Sequence, residues 1–395
     1  MNLQQKEFHE VLKNDYRTVI WKANQSNWKS AEIVVSTVQS FVTKNKYKRI
    51  FRPDDFDLVI SDEAHRSLGA MSRRVFEFFI GFKLGLTATP RDYLRAVDVH
   101  KLGERDPRQL ERRYMLDTYT IFGCENSEPT YRYSLSEGVT DGYLINPKVI
   151  DARTEITTDL LSENGYLFQT VDEDGNDVEE TFTQKDFEKK FFSENTNQIF
   201  SETFLEKSKK DPYTNEIGKT LVFCVSQKHA IKITTILNEL AEKYFPNKFQ
   251  SDFAIQVTSN VTNPDPQQMT IDFKNNNLRG NSPINELYKT SKARVCVTVG
   301  MMTTGYDCKD LLNICLFRPV FSPTEFIQMK GRGTRKNDFK YHWISKDEIP
   351  QFVDSEKDEF LLFDFFGNYE YFEKDFDYDE IIKLPSKPSI PLEPP

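Results

Sequence analysis

Leu58-Val-Ile-Ser61 runs straight into Asp62, Glu63, Ala64 and His65. A short apolar run that ends abruptly in acids reads as a buried strand of a parallel sheet, with the acids at its carboxyl end. Open α/β sheets gather their ligand chemistry at such ends. Taken alone, an Asp-Glu-x-His tetrad reads equally well as a strand end carrying two surface acids. The rest of the chain has to decide between the two.

The strongest pattern downstream is a regular alternation. Lys219–Ser226 reads as a strand, and Gln227–Tyr244 as a helix with Ile231, Ile233, Ile236, Leu237 and Leu240 on its apolar face. Strands follow at Phe253–Thr258, Arg294–Val299 and Leu311–Pro319, with a short helix at Met269–Phe273. Strands alternating with helices predict a parallel sheet covered on both faces. Upstream, Thr18–Trp21 and Glu32–Phe41 read as strands, Met71–Ile80 as a helix, and Lys83–Thr87 as a strand running into a turn. Ser134 or Ser136 is a suitable N-cap for a short helix. Glu359–Gly367 reads as a late buried strand, and a proline-rich stretch ends the chain.

Bulk properties narrow the partners. A length of 395 residues predicts two or three domains. The net charge of −9 means that any contact with nucleic acid must use a local basic surface. No run of 18 apolar residues predicts a membrane span. The five cysteines are scattered without a Cys-x-x-Cys, so neither a zinc site nor a disulfide framework is indicated, and a reduced, cytoplasmic setting is expected.

Four further segments carry chemistry. Ser36-Thr37-Val-Gln39 supplies short hydroxyl and amide donors where a strand ends. Thr87-Ala-Thr89 follows the acidic tetrad by about 25 residues. Thr303-Thr304-Gly305-Tyr-Asp307 follows a strand of the second half. Gln328-Met-Lys-Gly-Arg332-Gly-Thr-Arg335 spaces two arginines three apart, which predicts both guanidiniums on one side of a helix. These segments resemble motifs of the DEAH-type superfamily-two helicases, in which Asp-Glu-Ala-His is the Walker B motif. More specifically, Val35–Phe41, Asp57–Pro90, Tyr131–Pro147 and Phe321–Arg335 with the Phe360–Tyr371 tail resemble the R (restriction and translocation) subunit of type I restriction enzymes, most specifically in the runs Ser61–Ser67 and Pro323–Arg335.

The resemblance implies an ATP- and Mg²⁺-dependent DNA motor. Asp62 would hold Mg²⁺, and Glu63 would orient the attacking water, with His65 completing the box. Thr87 and Thr89 would couple hydrolysis to movement. Ser36, Thr37, Gln39, Thr303 and Thr304 would meet DNA phosphates, which position DNA without reading its sequence. Gly305, Asp307 and Gln328 would border the nucleotide, and Arg332 and Arg335 would act on the γ-phosphate as arginine fingers. The implied fold is α/β, with two RecA-like parallel-sheet motor domains, the first truncated at its N-terminus. The expected division is residues 1–130 for the first, 131–215 for a connecting segment with an acidic hairpin, 216–350 for the second, and 351–395 for a tail.

Three family parts are missing from the sequence. No Gly-x-x-x-x-Gly-Lys-[Ser/Thr] phosphate loop is present, nor the nuclease domain, nor the C-terminal region that docks onto the modification subunit. The implied partners are DNA, the modification and specificity subunits, and an upstream-encoded polypeptide carrying the phosphate loop. Another superfamily-two repair helicase, or a DNA- or partner-binding relic without hydrolysis, stays open as an alternative.

Overall fold

The computed structural model describes residues 8, 11–13, 15–21, 27–66, 70–88, 90, 117–152, 194–259, 265–281, 288–303, 306–320, 323–344 and 350–375. The chain divides into two units, one over Met1–Thr130 and one that begins at Tyr131. The expected acidic hairpin near Asp172–Asp177 and most of the helix at residues 3–13 lie outside the described residues.

In the first unit, β1 (Thr18–Ile20) pairs in parallel with β2 (Ile33–Val35), and β3 (Leu58–Asp62) pairs in parallel with β4 (Phe82–Leu86). The predicted strand over Glu32–Phe41 is thus cut short. Thr37 accepts a hydrogen bond from the Ser40 amide and caps helix α1 (Val38–Val42), which turns the chain out of the sheet. Helix α2 (Lys46–Ile50) and helix α3 (Ala70–Phe78) follow. Their aromatic rings build the core: Trp21 lies 5.1 Å from both Phe41 and Phe51, and Phe56 lies 5.2 Å from Phe79. Rings of this size bury large apolar areas with few residues, which suits a small unit.

Strand β3 is parallel as predicted, but it is not buried on both faces. The register sets Leu58 against Phe82 and Ile60 against Leu84. These four and Leu86 are all exposed, with Phe82 at 83%. The opposite face carries Val59, which packs against the aromatic core, and Gly85, which lies under the Phe122 ring. The apolar run therefore covers one core face and leaves a bare apolar face on the other.

The second unit is built on a six-stranded sheet in the order β5-β12-β9-β6-β8-β7, parallel throughout. Its strands are β5 (Pro147–Asp151), β6 (Thr220–Cys224), β7 (Ala254–Gln256), β8 (Val295–Thr298), β9 (Asn313–Phe317) and β12 (Phe360–Asp364). Side chains alternate between the faces. Val222, Cys224, Val297, Cys315, Phe317 and Phe363 meet Phe204 of helix α6 (Glu194–Lys207) and Ile233 and Leu237 of helix α7 (Gln227–Tyr244). Ile231, expected on the apolar face of α7, is exposed. Leu221, Phe223, Cys296, Ile314 and Leu362 face Phe273 of helix α8 (Pro266–Lys274) and Phe326 of helix α9 (Pro323–Gly331). The late strand β12 sits between β5 and β9, so Phe360–Asp364 is an interior strand of this sheet. Strands β10 (Asp338–Ile344) and β11 (Pro350–Glu356) form a separate antiparallel hairpin. Among the described residues, no helix is long and apolar enough to cross a membrane.

Candidate nucleotide and nucleic-acid sites

In the first unit the chemistry gathers at the carboxyl ends of β3 and β4. Their register sets Asp62 beside Leu86, so Thr87 emerges next to the acidic tetrad. The Asp62 carboxylate accepts a hydrogen bond from the Glu63 amide at 3.0 Å. Glu63 has φ of 51°, a left-handed conformation that costs a non-glycine residue about 1 kcal/mol. This sharp turn carries His65 inward, where it is 1% exposed. His65 Nδ1 lies 2.7 Å from Thr87 Oγ1 and 3.5 Å from Glu63 Oε2. The two strand ends are thereby tied together through one imidazole. Thr89 lies outside the described residues. Asp62 is an exposed carboxylate at a strand end, which fits the habit of Mg²⁺ to take one or two carboxylates and keep its waters.

Ser36 and Thr37 are engaged within the fold. Ser36 Oγ donates to the Trp21 carbonyl at 3.0 Å, and Thr37 is the α1 cap described above. Gln39 lies in the first turn of that helix, at an exposed position.

In the second unit, α9 stops at Gly331, so the prediction that Arg332 and Arg335 share one side of a helix is overturned. Gly333 lies just past the break. A Cβ there would stand 2.3 Å from the Phe360 ring, so the backbone presses onto β12 at a point only glycine permits. Beyond it the arginines part. Arg332 donates to the Gln328 carbonyl at 3.1 Å and also to the Tyr306 carbonyl. Arg335 is half-exposed and donates to Asp307 Oδ1 at 3.3 Å. They therefore grip adjacent residues, Tyr306 and Asp307. Lys274 approaches the other Asp307 oxygen at 3.8 Å. Gln328 is buried at 6% exposure. Thr303 is also buried, and its hydroxyl donates to the Gly300 carbonyl at 2.6 Å. Thr304 and Gly305 lie outside the described residues.

Sequence reasoning missed the lysine that holds this turn. Lys357 is 3% exposed, and its ammonium donates to the carbonyls of Gly333 (2.7 Å), Arg335 (2.9 Å) and Lys309 (3.1 Å). Burial pulls its pKa down to about 7, partly offset by Cys308 and Asp310. Nothing in the run Glu356-Lys-Asp358 marks it from the sequence alone.

A second lysine matters for what it is not. Gly218-Lys219-Thr220 is a Gly-Lys-Thr. A phosphate loop needs that tripeptide after a strand, at the mouth of a helix. Here it opens strand β6 instead. The Lys219 ammonium is 2% exposed and contacts both Asp310 oxygens at 3.0 Å. Burial pushes the Asp310 carboxyl up, but Lys219 and donated hydrogen bonds outweigh it and hold the group below its ordinary range. Lys219 is thus committed to a buried ion pair, and the described residues offer no cradle for β- and γ-phosphates.

Comparison with known proteins places these features. Residues 2–92, which contain the acidic tetrad, match the family described as type III restriction enzyme, res subunit. The EcoAI type I restriction endonuclease subunit of Escherichia coli is 27% identical over 312 residues, 77% of this chain and 33% of that protein. The EcoKI counterpart from strain K12 is 28% identical over 342 residues, 78% of this chain and 25% of that protein. A solved fragment of an HsdR subunit of a type I restriction enzyme from Vibrio vulnificus YJ016 superimposes with a TM-score of 0.53 at 25% identity, covering 92% of this chain and 55% of that one. This chain is thus similar to the R subunits of type I restriction enzymes. Its α/β architecture, with parallel sheets in both units, is that of RecA-like helicase domains. The chain spans a quarter to a third of the length of the two curated relatives.

Proposed function

We propose that this chain is the motor part of an ATP-dependent DNA translocase of a type I restriction-modification system, and that by itself it does not turn over ATP. The observation that carries the motor reading is the His65 bridge. An imidazole 2.7 Å from Thr87 and 3.5 Å from Glu63 links the residue expected to orient water to the end of the neighbouring strand. A change at the acids is thereby transmitted to β4 by one rigid side chain. Asp62 would hold Mg²⁺ as a single carboxylate. In the second unit, Asp307, Arg332 and Arg335 form the basic turn that the family resemblance assigns to the nucleotide phosphates. Ser36, Thr37, Gln39, Thr303 and Thr304 remain the proposed DNA-backbone contacts, alongside the cap and hydrogen-bond roles that Ser36, Thr37 and Thr303 already fill.

The sequestered Lys219 supports the second half of the proposal. Among the described residues no lysine stands beside an amide nest open to the phosphates, and that is the group that most tightens NTP binding in such motors. Catalysis by the pair Asp62 and Glu63 then depends on a polypeptide that supplies the cradle, with the modification and specificity subunits as further partners.

The test is steady-state ATPase of the purified chain with and without duplex DNA, beside an equilibrium titration with a non-hydrolysable ATP analogue. No DNA-stimulated turnover is expected, with DNA binding retained. A DNA-stimulated rate in the ordinary motor range of about 1–100 per second would overturn the proposal. Retained DNA binding with no restoration of turnover by any cradle-bearing partner favours a non-hydrolysing relic, the reading the Lys219–Asp310 pair also fits.

A further inference from the structure

The segment between Tyr131 and Ile145 has a surface that no motif accounts for. Tyr131, Tyr133 and Tyr143 are 79%, 45% and 71% exposed. Single apolar groups on a surface need no explanation, but three tyrosines within 13 residues, gathered about one helix, do. That helix, α5 (Leu135–Thr140, which follows α4, Thr118–Ile121), starts from a full capping box: the Glu137 amide donates to Ser134 Oγ, and the Ser134 amide to the Glu137 carboxylate. It ends in Gly142 at φ of 76°, with the amides of Tyr143 and Leu144 both donating to the Gly138 carbonyl at 2.9 Å. Tyr133 folds over Gly138 and donates its hydroxyl to Asp141 at 2.7 Å. The Tyr133 ring is thus held in place and loses little freedom when something stacks on it, and Tyr131 and Tyr143 leave the two ends of the same capped helix.

The same support is joined to the basic turn. The Ile145 amide donates to the Thr334 carbonyl at 2.9 Å, and Leu144 pairs with Arg335 in an antiparallel bridge. That register puts Tyr143 across from Lys336, on one face. The Lys336 ammonium stands 3.6 Å from where a Cβ on Gly142 would lie. An exposed ring therefore sits beside an exposed ammonium, with Arg132 on the same segment. The acids here are occupied: Asp141 by Tyr133, Glu137 by the cap, and Asp307 by Arg335. Asp141 and Glu137 keep their charge, so the patch is near neutral as a whole, and what it offers a polyanion that carries rings is an exposed ammonium and an exposed guanidinium set beside exposed rings.

We propose that Tyr131, Tyr133 and Tyr143 form a stacking platform for the unpaired bases of single-stranded DNA, with Lys336 and Arg132 on its phosphates. Three rings suit successive bases, whereas a mononucleotide would use one. Paired bases hide their faces, so duplex DNA gains nothing from the rings. Stacking is tolerant of sequence and depends on salt through the cations. The proposal rests on the DNA-binding reading above and adds a site for an unpaired strand to it.

The experiment is a fluorescence-anisotropy titration of the full chain with a labelled oligothymidylate, a duplex of equal length and a labelled ATP analogue. Wild type, Tyr143→Ala, Tyr143→Phe and Lys336→Ala are compared over a range of salt. Tyr143→Ala is expected to weaken binding of the single strand by about 5- to 100-fold, leaving the duplex unchanged. Tyr143→Phe should stay within about twofold, because the ring and not the hydroxyl stacks. Lys336→Ala should lower the slope of log K against log salt by about 0.7. Unaltered single-strand binding by Tyr143→Ala overturns the platform, as does an equal loss on duplex or a loss confined to the ATP analogue. Failure of wild type to bind any DNA overturns the DNA-binding reading and the platform with it. Failure of the Tyr143 variants alone leaves that reading standing.

Discussion

Lys357 makes a quantitative statement about stability. Burial pulls its ammonium from the ordinary 10.5 down to about 7, while three carbonyl oxygens hold it in place. In the unfolded chain the same lysine keeps its proton until about pH 10.5. Between those two values the unfolded state binds more protons than the folded state. Folding stability must therefore rise with pH across that interval, by at most about 1.4 kcal/mol per pH unit for this one group. From about pH 6 to about pH 8.5 the rise integrates to about 2 kcal/mol, small at first and steepest above pH 7. The penalty is full below pH 7 and gone above about pH 10.5.

The perturbation is Lys357→Met, which keeps the stem and removes the titrating group. It leaves the Gly333, Arg335 and Lys309 carbonyls without their donor, at about 1–3 kcal/mol for each that water cannot reach. That cost is paired against relief of the buried charge, so the sign at any single pH is not diagnostic. The pH profile is. Urea unfolding followed by circular dichroism, run on wild type and Lys357→Met across the same buffers, cancels every other titrating group. Wild type should gain about 2 kcal/mol on the variant between about pH 6 and about pH 8.5. Parallel profiles would refute the reasoning. A profile of opposite slope would show that the three carbonyls hold the proton more strongly than burial expels it.

Two further substitutions probe the architecture. Phe82→Lys interrupts the bare face formed by Leu58, Ile60, Phe82, Leu84 and Leu86, and should raise the concentration at which the chain stays monodisperse in light scattering; unchanged association would show that the face is not the sticky one. Gly333→Ala drives a methyl into the Phe360 ring and should cost about 1–3 kcal/mol in urea unfolding, with a neutral result refuting the close approach.

Local pattern told truly where local forces decide. The strand-helix alternation from Lys219 to Pro319 appears in the fold because each strand is buried on both faces and each helix on one. The Ser134 cap appears because a capping box needs only four residues. Strand β12 was visible as a strand, but its place between β5 and β9 was not, since neighbours in a parallel sheet are chosen by packing and not by sequence distance. The spacing of Arg332 and Arg335 misled because helical periodicity was extended past Gly331, where the helix ends and the chain turns to pass closely over the Phe360 ring at Gly333. The run Leu58–Ile60 misled in the opposite way. A fully apolar strand looks buried on both faces, yet hydropathy cannot show whether anything covers the second.

The two lysines show why site chemistry is harder to read than fold. Lys357 has no motif, yet it fixes the backbone under Arg335 and borders Asp307 through Lys309. Lys219 has the motif, a Gly-Lys-Thr, and no such chemistry, because a tripeptide binds phosphate only when its amides open outward at a helix start. Placed at the head of β6, its amides enter the sheet ladder and its ammonium must find a carboxylate inside. Asp310 is that carboxylate. An uncompensated Lys219 would be a buried charge costing several kcal/mol, so Asp310 cannot release it to a nucleotide without unmaking the start of the interior strand it supports. Asp310→Asn is therefore expected to destabilise the second unit by about 3–5 kcal/mol without conferring any affinity for an ATP analogue. Gain of nucleotide binding in that variant would show that Lys219 is a latent phosphate ligand after all.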